Sequence, residues 1–179
     1  MLRAVATCLL LSAVMIVAVP VGHASSPTTV SYRADLATMT RIAPYQVLAP
    51  AGLPVSWSPV DSGVAVGGAN GAGTVTWRLG FVTPSGTFAA LEETNAAAAE
   101  FIRRMTNSGT PRSPVTIGGR TWAASVNTGR GQRSLAVTTA GVTLVVTGNA
   151  SWARLRTLAA SLRPRPEHPA PGRPDAAPG

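Results

Sequence analysis

The chain contains no lysine, and all fifteen of its basic side chains are arginine. Schiff-base chemistry, a Ser-Lys dyad and a phosphate-loop lysine are therefore excluded. Histidine and cysteine are nearly absent too: Cys8 and His23 lie within the first 24 residues and His168 lies in a proline-rich C-terminal stretch. The segment between them has no imidazole and no thiol, so neither a common nucleophile–base triad nor a soft-ligand metal site can be assembled there. No cofactor or metal is expected, and once the N-terminal segment is gone no internal disulfide is available. Charge is thin at 12% of residues, against about 25% in an ordinary domain. Glycine (18) and proline (15) are plentiful instead, which makes the chain apolar and rich in turns.

Both ends read as something other than folded domain. After Arg3, residues 4–22 are uncharged, Pro20 breaks the helix they would form, and Gly22-His23-Ala24 supplies the small residues that a signal peptidase recognises. The segment reads as a signal peptide cut after Ala24. Its nineteen uncharged residues also reach roughly 28 Å as a helix, which suits an uncleaved membrane anchor. Cys8 lacks the flanking pattern of a lipidation site. Residues 163–179 hold six prolines and no other apolar side chain larger than alanine, so they are expected to be a disordered tail. What remains, residues 30–162, is long enough for one core. It is basic as well, with eleven arginines against five acids.

Within that domain the apolar spacing switches between two periods. Tyr32, Leu36, Met39 and Ala43 mark one face of a short helix that Pro44 must end. Val75, Trp77, Leu79 and Phe81 alternate with polar or small residues, as in a half-buried strand, and Thr83-Pro84-Ser85-Gly86 turns the chain into a second strand over residues 87–92. Thr94 or Asn95 can cap a helix whose face is Ala98, Phe101, Ile102 and Met105, with Glu92 and Glu93 at its positive end and Arg103 and Arg104 at its negative end. Residues 114–117, 121–126, 134–139 and 142–147 are β-rich runs separated by glycine-containing turns. Ser151 caps a last helix with Leu155, Leu158, Ala159 and Leu162 on one stripe. The order predicts an α+β fold: an antiparallel sheet of about six strands with two or three packed helices. Leu36, Trp77, Leu79, Phe81, Phe101, Val146, Leu155, Leu158 and Leu162 are the expected core.

The same residues carry a resemblance. Ala43-Pro44-Tyr45-Gln46-Val47-Leu48-Ala49-Pro50, followed by Leu53-Pro54 and Trp57, resembles the opening of the domain-of-unknown-function family numbered 4245, found in high-GC Gram-positive bacteria. Further blocks fit in order: Trp77-Arg78-Leu79-Gly80-Phe81-Val82-Thr83-Pro84-Ser85-Gly86, Gly119-Arg120-Thr121-Trp122, Val145-Val146-Thr147-Gly148 and Leu158-Ala159-Ala160-Ser161-Leu162. The resemblance implies a secreted or single-pass membrane-anchored cell-envelope protein with no activity established. Two departures stand out. Many members read as membrane-anchored where the N-terminal segment of this chain reads as cleavable, and Glu93-Thr94 stands where a Gln-Ser pair is common.

Motifs for chemistry are sparse. The run of glycines from Gly67 to Gly73 looks like a phosphate loop, but it leads into a strand and has no lysine, so it reads as a hairpin connection. Glu92 and Glu93 are adjacent on a strand and point to opposite faces, which prevents them from acting as a paired acid and base. Asn149-Ala150-Ser151 matches a glycosylation acceptor, yet Ser151 already serves as a helix cap. Trp77, Trp122 and Trp152 read as packing residues, whereas Tyr45 and Trp57, flanked by prolines, are candidates to line a groove. No cluster of arginines interleaved with aromatics points to nucleic acid. Arg120, Arg130 and Arg133, in turns between successive strands, are the candidate contacts for an anionic partner: an envelope polymer, lipid head groups or another envelope protein. The expected function is a non-catalytic binding or interaction domain of the envelope; the alternative is a carboxylate-dependent hydrolase of envelope material.

Overall fold

The computed structural model describes residues 29–67 and 73–165. The expected targeting segment with its cut after Ala24, the centre of the glycine-rich run, and the chain from residue 166 onward lie outside the described residues. The chain order is α1 (Arg33–Ile42), β1 (Leu48–Pro50), β2 (Ser58–Gly67), β3 (Thr74–Val82), β4 (Phe88–Thr94), α2 (Ala98–Met105), β5 (Thr110–Ile117) and β6 (Arg120–Asn127). A 3₁₀ turn (Thr128–Arg130), β7 (Gln132–Thr139), β8 (Val142–Gly148), α3 (Trp152–Ser161) and β9 (Leu162–Pro164) complete it. The fold is α+β and mostly sheet: seven antiparallel strands in the order β2-β3-β4-β8-β7-β6-β5, and a separate antiparallel pair of β1 with β9.

Two meanders build the large sheet. β2, β3 and β4 run in sequence; α2 then carries the chain to the far edge, and β5 to β8 return until β8 pairs with β4. Tight turns direct the returning half. Gly118 and Gly119, and again Ala140 and Gly141, all have positive φ, the two-residue turn whose twist matches that of the strands it joins. β2 is the strand of this sheet that the period-2 pattern does not reveal. It is an edge strand interrupted at Pro59 by a register shift, and its residues run from half-buried to exposed, so no apolar alternation marks it.

Alternation sorts the strand side chains to two faces. Trp77, Leu79, Phe81, Leu91, Trp122 and Val146 form the larger core with Met39 of α1, Val47 and Ala49 of the β1 segment, and Leu155 and Leu158 of α3. On the opposite face Phe101 packs on Ala136 and Val145, with Ile102 and Met105 beside it. Every expected core residue is buried except Leu36, which is half-buried because Met39 takes the central position of α1. Helix α1 ends as its sequence requires: Ala43 is extended before Pro44.

Two boundaries depart from the sequence reading. α2 has Ala97 as its N-cap, with no side-chain cap. Strand pairing of β4 runs through Thr94, and Asn95 holds β3 instead, its Oδ1 accepting from Val75 N–H (2.8 Å) and its Nδ2 donating to the Gly73 carbonyl (3.0 Å). Glu92 and Glu93 are thereby sheet residues, and Glu100 is the acid of the first helical turn. At the C-terminal side the fold continues past Leu162. β9 reaches Pro164, and Arg165 donates from its backbone to Val47 (2.9 Å) and from its guanidinium to Pro50 (2.9 Å), so Arg163 to Arg165 belong to the folded part.

Candidate functional site

Three concavities gather the polar residues. The first lies beside α3 and has a volume of 520 Å³. Its apolar surface comes from Val115 of β5, Ala124 and Val126 of β6, and Trp152 of α3, and its positive charge from Arg112, Arg133 and Arg156. Local rules put them there. On β6 the period of two aims Trp122, Ala124 and Val126 at one face; Trp122 is swallowed by the core while the short Ala124 leaves room above it. Ser151 starts α3 by accepting from Arg154 N–H (3.4 Å), and the i, i+4 step stacks Arg156 on the Trp152 side of the helix. A register shift between Arg112 and Val115, in a stretch interrupted by Pro111 and Pro114, bends β5 at the rim.

The charge there is uncompensated. Among the described residues the ion pairs are Arg78 with Asp61 and Glu92, and Arg103 with Glu100. The guanidiniums of Arg112 and Arg156 make no hydrogen bond or ion pair with a described residue, and that of Arg133 meets only the carbonyls of Asn149 and Ala150, each at 3.5 Å. Three guanidiniums whose donors are free or weakly engaged thus surround an apolar floor, an arrangement suited to phosphate or carboxylate attached to an apolar body.

Arg120, Arg130 and Arg133 do not form one patch. Arg133 lines the cavity beside α3; Arg130 lines a 480 Å³ cavity under α2; Arg120 lines a 280 Å³ cavity with Tyr45 and Glu93. Tyr45 is half-buried there, its hydroxyl 3.5 Å from the Val75 carbonyl. Trp57 joins no groove with it: a turn closed by Trp57 N–H on the Pro54 carbonyl (2.9 Å) sends the indole inward, where it lies 4% exposed and edge-on to Phe81. Arg112 and Arg156 are the site residues that sequence reasoning passed over. The only signal for Arg156 was its i, i+4 relation to Trp152 beside the apolar stripe, and for Arg112 none was present.

The two adjacent glutamates face apart. Glu93, with none of its surface exposed, opens toward Tyr45 and accepts the Leu48 N–H on both oxygens (3.1 and 3.3 Å). Burial pushes its carboxyl from the ordinary 4.5 to about 8, against the pull of that N–H and of Arg120. Burial, then the Glu93 charge, raises the Tyr45 hydroxyl as well. Glu92, on the other face, is pushed to about 7 by burial, with Arg78 and Arg104 opposing and Asp61 adding to the rise. Arg78 stands between Asp61 (2.5 Å) and Glu92 (3.5 Å), so these two carboxyls meet only across a guanidinium. Asp35 accepts from the Ser62 hydroxyl (2.5 Å), and exposed Glu100 is held below its ordinary range by its hydrogen bonds to Arg103.

Among the described residues no helix is long and apolar enough to cross a membrane, and no three His, Cys, Asp or Glu side chains gather as a metal site would need. No curated protein and no solved structure matches the chain. The family model described as "Protein of unknown function (DUF4245)" matches residues 1–162, and the chain belongs to that family.

Proposed function

We propose that this chain is a non-catalytic binding module of the cell envelope, exported or anchored by its N-terminal segment, and that the cavity beside α3 takes an anionic lipid. One observation carries the reading: Arg112, Arg133 and Arg156, none paired with a carboxylate among the described residues, border a floor of Val115, Ala124, Val126 and Trp152. A soluble anion needs no such floor, and an uncharged acyl chain needs no arginines. A lipid phosphate joined to its chains uses both. The binding reading is also favoured over hydrolysis by the disposition of the acids, since Asp61 and Glu92 are both engaged by Arg78 and Glu93 opens to the other face.

Flotation of residues 25–179 with phosphatidylglycerol vesicles tests this. The chain is expected to bind at low ionic strength and to dissociate as salt is added. Arg112→Gln, Arg133→Gln and Arg156→Gln together should weaken binding on the order of a hundredfold, since each basic side chain near an anionic surface contributes about 1 kcal/mol. Equal binding to phosphatidylcholine vesicles, or binding unchanged in the triple variant, rejects the reading. Binding to an anionic wall polymer but not to lipid would keep the anion and remove the lipid.

A further inference from the structure

The concavity under α2, on the sheet face away from α3, has a different chemistry. Two glycines shape it. A Cβ at Gly80 would stand 2.8 Å from the Phe88 ring, and a Cβ at Gly148 (φ +154°) would stand 2.1 Å from the Phe88 carbonyl oxygen. Only glycine at both positions lets the Phe88 ring lie across β3 while β8 closes on β4, and the ring becomes one wall of the 480 Å³ space. Around it the lining is polar. Gln132 donates to the Met105 carbonyl (2.7 Å) and the Thr147 hydroxyl (2.6 Å) and accepts from Asn107 (2.5 Å), so its amide is committed within the fold. Asn149 commits its Oδ1 to Phe88 N–H (2.7 Å), and its amino group donates to no described residue.

Arg104 and Arg130 line the same space, Arg104 lying over the Phe101 ring at 5.5 Å and neither paired with a carboxylate among the described residues. The Arg130 backbone N–H is tied to Asn127 Oδ1 (3.0 Å), which fixes the turn that presents its guanidinium. An aromatic wall suits the apolar face of a pyranose, a free amide donor and a buried carboxyl suit its hydroxyls, and two available guanidiniums suit a phosphate.

We propose that this cavity is a second binding site, which takes a phosphorylated sugar with the ring against Phe88, a hydroxyl on Asn149 and the phosphate between Arg104 and Arg130. The site does not depend on the lipid reading of the cavity beside α3. Glu92, at its floor, couples the site to pH. The charged groups that face it are Arg78 from β3, Asp61 from β2, Arg104 from α2 and Arg130 from the 3₁₀ turn. As a neutral acid it donates a hydrogen bond to the ligand; once ionised, above about pH 7, it repels the phosphate.

Calorimetric titration of the full chain with glucose 1-phosphate at pH 6 and pH 8 tests the proposal. Saturable binding is expected at both pH values, with glucose and inorganic phosphate each binding less tightly than the sugar phosphate. Arg104→Gln and Arg130→Gln should each lower affinity roughly tenfold, the usual size of a charge-assisted hydrogen bond. Because the sugar phosphate takes up its second charge at about pH 6, the Glu92 effect is read at fixed pH: Glu92→Gln should bind more tightly than the unmodified chain at pH 8 and about equally at pH 6, and Arg156→Gln, in the other cavity, should leave the titration unchanged. No saturation at pH 6, indifference to both Arg104→Gln and Arg130→Gln, or inorganic phosphate binding as tightly as the sugar phosphate overturns it. Loss of binding in Arg156→Gln also overturns it, by moving the ligand to the cavity beside α3.

Discussion

A carboxyl with no exposed surface is costly to ionise, and Glu93 has one backbone N–H and the charge of Arg120 to offset that cost. The consequence is a pH-dependent stability whose direction follows from the shifts. The folded carboxyls of Glu93 and Glu92 titrate near 8 and 7, above the 4.5 of an unperturbed glutamate, so the folded chain holds these protons more tightly than the unfolded chain does. Their contribution is fully present below about pH 4.5 and is lost as pH rises through 7 and 8. At about 1.4 kcal/mol per pKa unit, a decline of a few kcal/mol between pH 5 and pH 8 is expected in urea unfolding. Glu93→Gln keeps an acceptor for Leu48 N–H without a charge. Its midpoint at pH 8 should lie above that of the unmodified chain and its pH profile should be flatter; a midpoint at or below it would mean that the ionised carboxyl is compensated within the fold.

At the scale of the element, β9 is informative because it is short and made of residues that look like tail. Three residues pair with β1, and Arg165 adds two hydrogen bonds to the β1 segment. That segment supplies Val47 and Ala49 to the core and the Leu48 N–H to Glu93, so β9 holds down a strap that seals one side of the larger cluster. A chain ended after Arg165 should melt like the full chain. Ending it after Leu162 removes the Arg163 and Pro164 pairs and both Arg165 hydrogen bonds, and should cost roughly 1 to 3 kcal/mol, the worth of two or three hydrogen bonds, read as a lower melting temperature. Equal melting of the two truncations would remove β9 from the stabilising contacts. By the same logic α3 needs no such support, since Leu155 and Leu158 have no exposed surface and bury its stripe outright.

For the molecule as a whole, one twisted sheet separates two surfaces of different character. The face under α1 and α3 holds the larger core and the apolar, arginine-bordered cavity; the face under α2 holds the smaller cluster and the polar cavity. A packed sheet transmits little between sites when neither requires a rearrangement of the strands. Ligands at the two cavities are therefore expected to stabilise the fold independently. In thermal melts of residues 25–179, the stabilisation by a short-chain phosphatidylglycerol and that by glucose 1-phosphate should add when both are present. A combined stabilisation well below the sum would indicate a shared site or opposed coupling.

The sequence by itself determined the elements whose cause is local. Ala43 before Pro44 ended α1, Ser151 and the leucine stripe made α3, and the alternation of Val75 to Phe81 together with β-rich runs between turn residues marked six strands. The opposite facing of Glu92 and Glu93 was legible for the same reason, because side-chain alternation needs only the strand. Tertiary structure decided what depends on partners distant in the chain. β2 and β9 carry no apolar pattern of their own and exist because β3 and β1 pair with them. Arg120, Arg130 and Arg133 look alike as turn-flanking residues, yet they line three cavities, while Arg112, Arg133 and Arg156 meet from two strands and a helix. That meeting requires the α2 crossover to send β5 to the far edge before the chain returns to β8. A propensity or a period reads only neighbours a few residues away, whereas strand order is set by burial summed over the whole sheet.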